Sequence, residues 1–270
     1  MYDGEEVVPE VEEITVVHTG QLHGGAPKRA FQQIQVDSVY IRDGVIVYDK
    51  ADHEVLQHFA WKKDDTPARI KMPKNESVIN TAIASLASKR DGIVKAIPQD
   101  LKDSRVNVAT FTARVLCGMD VPEGHVVVPI NHERRDTRAN NLAIAAGEGK
   151  NFKAPANIYW PEALNNKISW DGDILRILPR GLLICEVDKV FTVHYPKDDK
   201  KCKTATKSIE DVQVFVTKYM DYIKSDWPNN SPFKGWKCLD PIADEALKSD
   251  WRTANEYYTE MVESYKNITK

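Results

Sequence analysis

The sequence predicts an α+β protein in which short antiparallel hairpins alternate with amphipathic helices. Pairs of apolar, β-branched segments flank turn-forming residues, a pattern typical of hairpins. The hairpin turns are predicted at Asp43-Gly44, Asp171-Gly172-Asp173 and Asp188-Lys189. Apolar residues at helical spacing indicate helices. These helices are predicted over 75–89, 105–117, 208–223 and 240–266. The C-terminal half is therefore expected to form a three- or four-stranded sheet with a packed helix, followed by a terminal helix.

Composition restricts the class of protein. The chain has 270 residues, of which 42% are hydrophobic and 29% are charged, as in ordinary globular proteins. A net charge of −3 argues against coating of nucleic acid by bulk electrostatics, so any DNA contact must use local basic patches. The four cysteines form no C-x-x-C pair, which excludes a zinc ribbon and favours reduced thiols. No apolar run approaches bilayer length, and we expect an intracellular protein with no membrane contact.

Changes in composition predict four segments. They are an acidic flexible arm (1–30), an N-terminal α+β region (31–153), a strand-rich module with a helix (165–225), and an aromatic tail with the terminal helix (226–270). The arm is rich in Glu and Val, and its first 13 residues contain no basic side chain. Such a segment is expected to be flexible, or else to dock on a basic surface of a protein partner or a sister subunit.

Two helices of the N-terminal region have recognisable ends. Asn75 or Ser77 can cap the helix over 75–89, whose apolar stripe is predicted to be buried. Ser104 can cap the helix over 105–117, and Gly118 is expected at the position just after its end. The predicted buried residues are Ile79, Ala82, Ile83 and Leu86 in the first helix, and Val108, Phe111, Thr112, Val115 and Leu116 in the second.

The most informative stretch runs from 124 to 152. An apolar strand, 126–130, leads directly to Asn131 and His132 in a charged loop. The loop continues through Asp136 and Arg138 to Asn141, and an Ala-rich segment, predicted to be weakly helical, then reaches Asn151. One imidazole is thus brought near several amide or carboxylate oxygens. This is the minimum set of groups for a water-activating, single-metal phosphodiesterase site.

The stretch over 104–153 resembles the core of an HNH endonuclease, also called the His-Me finger or ββα-metal fold. The resemblance rests on Asn131-His132, on the D-T-R-A-N-N-L motif at 136–142, and on Asn151. It implies a hydrolase that cuts DNA with Mg²⁺ or Mn²⁺, as in phage homing endonucleases. The implied roles are general base for His132, metal ligands for Asn131 and Asn151, metal ligand or anchor of Arg138 for Asp136, structural residues for Arg138 and Asn141, and phosphate contacts for Arg134 and Arg135.

The motif also departs from the family pattern. Asn131 stands where these families often have a metal-binding Asp, and an amide oxygen is a poorer ligand for a hard cation. The loop carries Glu133 in place of an Asp-Gly turn, and Thr137 stands at the usual central Asn. The alternative is therefore a catalytically degenerate HNH scaffold, a structural or DNA-binding component of, for example, a phage particle. A viral protein would be located in the host cytoplasm.

The strand-rich module resembles the small DNA-binding modules of the plant ethylene-response-factor type, in which a three-stranded sheet enters the major groove. The phosphate contacts that this resemblance implies are Arg176, Arg180, Lys189, Lys200, Lys201 and Lys203. The other interpretation is a solvated basic face on an ordinary domain. In the tail, Trp227, Trp236 and Trp251 precede or open a helix rich in tyrosine. That helix is expected either to close the second domain or to contact a protein partner.

Overall fold

The architecture is given by a computed structural model, which describes residues 33–36, 39–42, 46–62, 67–72, 75–102, 105–147, 161–197, 200–223, 226–227 and 229–270. Within these residues the chain is α+β, with small antiparallel sheets, as the sequence predicts. The predicted acidic arm (1–30), the turn at Asp43-Gly44 and Asn151 lie outside the described residues.

The N-terminal region contains two three-stranded antiparallel sheets. The first has the order β1 (Gln33–Val36), β2 (Val39–Arg42), β3 (Ile46–Asp49), and the second has the order β4 (Ala60–Lys62), β5 (Arg69–Lys71), β6 (Arg105–Asn107). The helices of this region are α1 (His53–Leu56), α2 (Glu76–Lys89), α3 (Gln99–Lys102) and α4 (Val108–Phe111). The pairing of β2 with β3 confirms the predicted hairpin.

Helix α2 follows the sequence prediction closely. Asn75 caps it by accepting a hydrogen bond from the Ser77 amide at 3.2 Å. Its four predicted apolar residues are all buried, because spacings of three and four place them on one face. That face packs in a core with Tyr48, Phe59 and Phe111.

Strands β7 (His125–Pro129) and β8 (Leu142–Ala146) form the next hairpin, and the HNH-like loop connects them. The module that follows contains a short hairpin and a three-stranded sheet. Its elements are β9 (Ser169–Trp170), β10 (Asp173–Ile174), β11 (Leu183–Val187), β12 (Val190–Lys197), β13 (Lys200–Thr206) and helix α5 (Ile209–Ile223). Asp171, Gly172, Asp188 and Lys189 have positive φ, as the tight turns predicted at these positions require.

The tail joins the two regions. Strand β14 (Lys237–Cys238) pairs with β8, and α6 (Pro241–Ser249) and α7 (Trp251–Ile268) follow. Trp251 packs edge-on against Trp170 of the module, with ring centroids 4.6 Å apart. Further along α7, Ala254 and Tyr258 belong to the core beneath β7 and β8. The buried side of the aromatic helix is therefore covered by this chain.

Two predicted helical segments are strands at least in part. The Ala-rich segment after Asn141 is strand β8, which is hydrogen-bonded on both sides, to β7 and β14. Pairing on both edges outweighs a helix preference of only a few tenths of a kcal/mol per residue. The predicted helix over 105–117 begins as strand β6, and α4 is capped by Asn107. The C-terminal part of the predicted helix is a π-helical turn over Thr112–Leu116.

The glycine predicted to follow this helix has the expected conformation. Gly118 has a φ of +60°, which side chains rarely adopt. A Cβ placed there would lie 1.6 Å from the carbonyl oxygen of Gly92. The close approach of these two backbones therefore requires glycine. Among the helices in the described part of the chain, none has both the length and the hydropathy needed to cross a bilayer.

Candidate functional site

The β7–β8 hairpin presents the HNH-like loop, residues 130–141. Five residue pairs hold the hairpin in register, from His125 opposite Ala146 to Pro129 opposite Leu142. The Ile130 amide then donates to the Asn141 carbonyl at 2.7 Å, which closes the base of the loop. Residues at the two ends of the motif are thereby brought side by side.

Inside the loop, four predicted site residues form one buried hydrogen-bonded network. The side chain of Asn141 accepts from the Asn131 amide at 3.0 Å and donates to the Asp136 carbonyl at 3.0 Å. The Asn131 carboxamide oxygen accepts from the side chain of Asn141 at 2.9 Å and from the Glu133 amide at 2.9 Å. Asn141 therefore holds the loop backbone, which is the role expected for an Asx side chain in a turn.

Asp136 and Arg138 form a bidentate ion pair at the centre of this network. Arg138 Nε lies 2.8 Å from Asp136 Oδ1, and Arg138 Nη2 lies 2.6 Å from Asp136 Oδ2. The Asn131 side chain also donates to Asp136 Oδ2, at 2.8 Å. The Asp136 and Arg138 side chains are only 0% and 5% exposed. Because an isolated buried charge is very costly, each group depends on the other.

The rest of the chain clamps this loop from two directions. On one side, the Val47 main chain of β3 accepts from the Thr137 amide at 2.8 Å and donates to the Arg135 carbonyl at 2.9 Å. On the other side, α7 contributes the Met261 carbonyl, which accepts from the Asn131 side chain at 3.2 Å. Also on α7, the Ser264 hydroxyl accepts from Arg138 at 2.8 Å. The loop is thus an internal joint between distant segments.

His132, the predicted general base, sits at the beginning of this loop. Its backbone has a φ of +63°, which is uncommon for a residue other than glycine. Its ring centroid lies 6.2 Å from that of Tyr258 on α7. Burial lowers the pKa of His132 to about 4. The imidazole is consequently neutral at physiological pH.

Two carboxylates near this joint, the partly buried Asp49 and the buried Asp52, were not among the predicted site residues. Asp49 accepts a hydrogen bond from the Ala139 amide at 2.8 Å, and burial raises its pKa. Asp52 is fully buried and accepts from Arg90 Nη1 at 2.9 Å. Burial, and then the proximity of Asp49, raise the pKa of Asp52 to about 7. The positions of Asp49 and Asp52 just after a predicted strand can be read from the sequence. The extent to which they are buried depends on packing against residues that are distant in the sequence.

The predicted phosphate contacts are scattered over several elements. Arg134 is exposed at the tip of the HNH-like loop, whereas Arg135 is partly buried. Arg176 donates to Asn165 and Asn166, so it stabilises a turn. Lys203 is exposed on β13, Lys189 is exposed in the turn between β11 and β12, and Arg180 is exposed before β11. Lys200 and Lys201 lie in β13.

The described residues of the predicted metal site are already committed to hydrogen bonds. Both carboxylate oxygens of Asp136 accept from Arg138, and the amide oxygen of Asn131 has two donors. To bind Mg²⁺ or Mn²⁺, these oxygens would have to release those bonds, so they do not fit a cation as arranged. In the described part of the chain, no cluster of three or more His, Cys, Asp or Glu side chains could hold a metal ion. The role of Asn151 stays a prediction.

Comparison of the chain with models of known protein families gives no match. Comparisons with curated proteins and with solved structures likewise give none.

Proposed function

We propose that this protein binds DNA through its three-stranded sheet, and that its HNH-like loop is a structural joint without catalytic activity. The observation that carries the second part is the buried network of Asn131, Asp136, Arg138 and Asn141. Opening it to admit a cation would separate a buried ion pair. Removing one partner of such a pair costs about 3–5 kcal/mol.

The sheet supports the first part of the proposal. Ile184, Phe191 and Val193 are buried in the core that includes α5. Side chains alternate along a strand, so Thr192 and His194 face the opposite way. Lys203, directly opposite His194 in the register, shares that outer face. Strand β13 and the residue after it carry four lysines and no acidic side chain, in a chain whose net charge is −3.

Such a face fits what a duplex requires. The major groove admits a small β-sheet or ribbon, and lysines beside it can contact the phosphates. The exposed Arg134 provides a second positive group, on the HNH-like loop. The overall negative charge then limits binding to surfaces where the basic residues are concentrated.

Two measurements test this proposal. Fluorescence anisotropy with a labelled duplex over a range of salt concentrations should give measurable binding, and Lys203→Ala should weaken it. The slope of log K against log salt should become shallower by about 1, because one phosphate contact is lost. Lys218→Ala is the matched control, because it removes an exposed lysine of α5, on the opposite side of the sheet. Equal losses in both variants, or no binding by the wild type, would overturn the proposal.

A metal-dependent HNH endonuclease with His132 as general base is the second candidate function. It is favoured by the neutral imidazole at the beginning of the loop, since a base must be unprotonated. Plasmid nicking with Mg²⁺ or Mn²⁺ separates the two candidates. We expect no nicking by the wild type or by His132→Asn, in which Asn tolerates the positive φ. Nicking by the wild type that is lost in His132→Asn would establish the nuclease.

A further inference from the structure

A groove of about 620 Å³ is lined by residues that belong neither to the β11–β12–β13 sheet nor to the HNH-like loop. It runs between the turn of chain that begins at Lys50 and the C-terminal end of α2. Lys50, Lys89 and Arg90 line it, together with His53 and Glu54, and the buried Leu86 lies among them. Three cationic side chains thus converge on one concave surface with a single carboxylate.

The three cationic side chains differ in how strongly they are held by ion pairs and hydrogen bonds. Lys50 is exposed and forms no ion pair with any other described residue. Lys89 lies 3.0 Å from Glu54, and both groups are well exposed, so water and salt weaken that pair. Arg90 is held from behind, by Asp52 at 2.9 Å and by the Cys117 sulfur at 3.4 Å.

The charge balance of the groove is positive. Glu54 cancels one of the three cations, and the carbonyl end of α2 contributes about half a negative charge. Asp52 and, more weakly, Asp49 offset part of the charge of Arg90, but only part, because burial disfavours the ionised form of both carboxyl groups. A positive surplus therefore remains in a concave site, where one guanidinium is already oriented. A rigid guanidinium with flanking lysines is the arrangement that proteins use to bind phosphate groups.

We propose that this groove binds the phosphate group of a small phosphate ester or of a DNA backbone. The proposal rests on the groove residues and is independent of the function proposed for the sheet. Arg90 would donate hydrogen bonds to the phosphate oxygens, and Lys50 and Lys89 would supply charge at its rim. The ion pair between Glu54 and Lys89 would have to weaken when phosphate binds, and the exposure of both groups permits this.

The test uses the full chain and pyrophosphate as the probe, in isothermal titration calorimetry at low ionic strength. The variant is the double charge reversal Lys50→Glu with Lys89→Glu, which leaves Arg90 and its buried partner intact. Lys248→Glu is a matched control, since Lys248 also lies in the last turn of a helix and is paired with a partly exposed carboxylate. We expect at least a tenfold loss of pyrophosphate affinity in the double variant and less than a twofold change in the control.

A second arm identifies the source of the phosphate. The salt dependence of duplex binding is measured for the same variants. A slope shallower by about 2 in the double variant indicates DNA backbone contacts, and an unchanged slope with lost pyrophosphate binding indicates a small ester. If the double variant alters neither quantity, or if Lys248→Glu alters them equally, the proposal is refuted. A loss caused by Lys203→Ala alone would leave the sheet proposal standing without the groove.

Discussion

Removing the carboxylate of Asp136 is expected to destabilise the fold strongly. Asp136→Ala would leave the guanidinium of Arg138, whose side chain is 5% exposed, without its counterion. It would also remove the acceptor for Arg138 Nε at 2.8 Å and for the Asn131 side chain at 2.8 Å. Breaking a buried pair from one side costs about 3–5 kcal/mol. For a chain of this size we therefore expect the midpoint of thermal unfolding to fall by roughly 10 °C.

A double-mutant cycle tests the physical reason. Arg138→Met alone should be similarly harmful, whereas Asp136→Leu combined with Arg138→Met should recover at least about 2 kcal/mol of the summed losses, because no uncompensated charge is left. Urea denaturation provides the free energies of unfolding. Glu263→Ala is the control, since Glu263 pairs with Lys266 at an exposed site of α7, and it should cost less than about 1 kcal/mol. A loss below 1 kcal/mol in Asp136→Ala, or strict additivity in the cycle, would refute the reasoning.

Three further predictions concern backbone fit and titration. Gly118→Ala should destabilise the fold by about 3 kcal/mol or more, because the new Cβ would clash with the Gly92 carbonyl. Gly124→Ala is the control: its φ is +75° but no atom lies within 4 Å of the new Cβ, so it should lose only about 1 kcal/mol. Equal losses of the two variants in urea denaturation would contradict the clash. Folded Asp52 keeps a proton that the unfolded chain releases between pH 4 and 7, so the free energy of unfolding should fall with rising pH in this window, and less so in Asp52→Asn. His132 acts in the opposite direction: its pKa of about 4 lies below the ordinary 6.5, so stability should fall on acidification between these values, and His132→Asn should reduce that loss. Denaturation series from pH 4.5 to 8 separate the two effects, and an unchanged pH dependence in either variant would contradict the corresponding assignment.

Local signals predicted the elements that local physics determines. Asp171-Gly172 and Asp188-Lys189 provide the positive φ values that two-residue hairpin turns need, and hairpins form there. Both the N-terminal cap and the apolar face of helix α2 can be identified from its own residues. Ser208 likewise caps α5, by accepting from the Asp211 amide at 3.1 Å. For these elements no information from distant residues is required.

The misassigned elements depend on distant partners. Strand β8 is rich in alanine, and its conformation follows from pairing with β7 and with β14, almost a hundred positions away. Strand β6 is a strand because Val106 pairs with Ile70. Neither partner can be identified from periodicity within a window of a few residues.

The candidate site was predictable in identity but not in its bonding. The motif predicted that Asn131, Asp136, Arg138 and Asn141 lie close together, and the four residues are joined by hydrogen bonds. Whether their oxygens face a cation or each other depends on α7, more than a hundred residues later, and on the edge of β3. The burial of Asp52 and the partial burial of Asp49 arise in the same way from tertiary packing.

The hydrogen bonds of Val47 to both sides of Asp136 join two segments that are 90 positions apart in the chain. The β3 edge and the loop should therefore open together, in one cooperative event that also releases α7. In native-state amide exchange, the Val47 and Thr137 protons should report a common opening free energy close to that of global unfolding. The β7–β8 hairpin would then be among the last parts of the molecule to unfold.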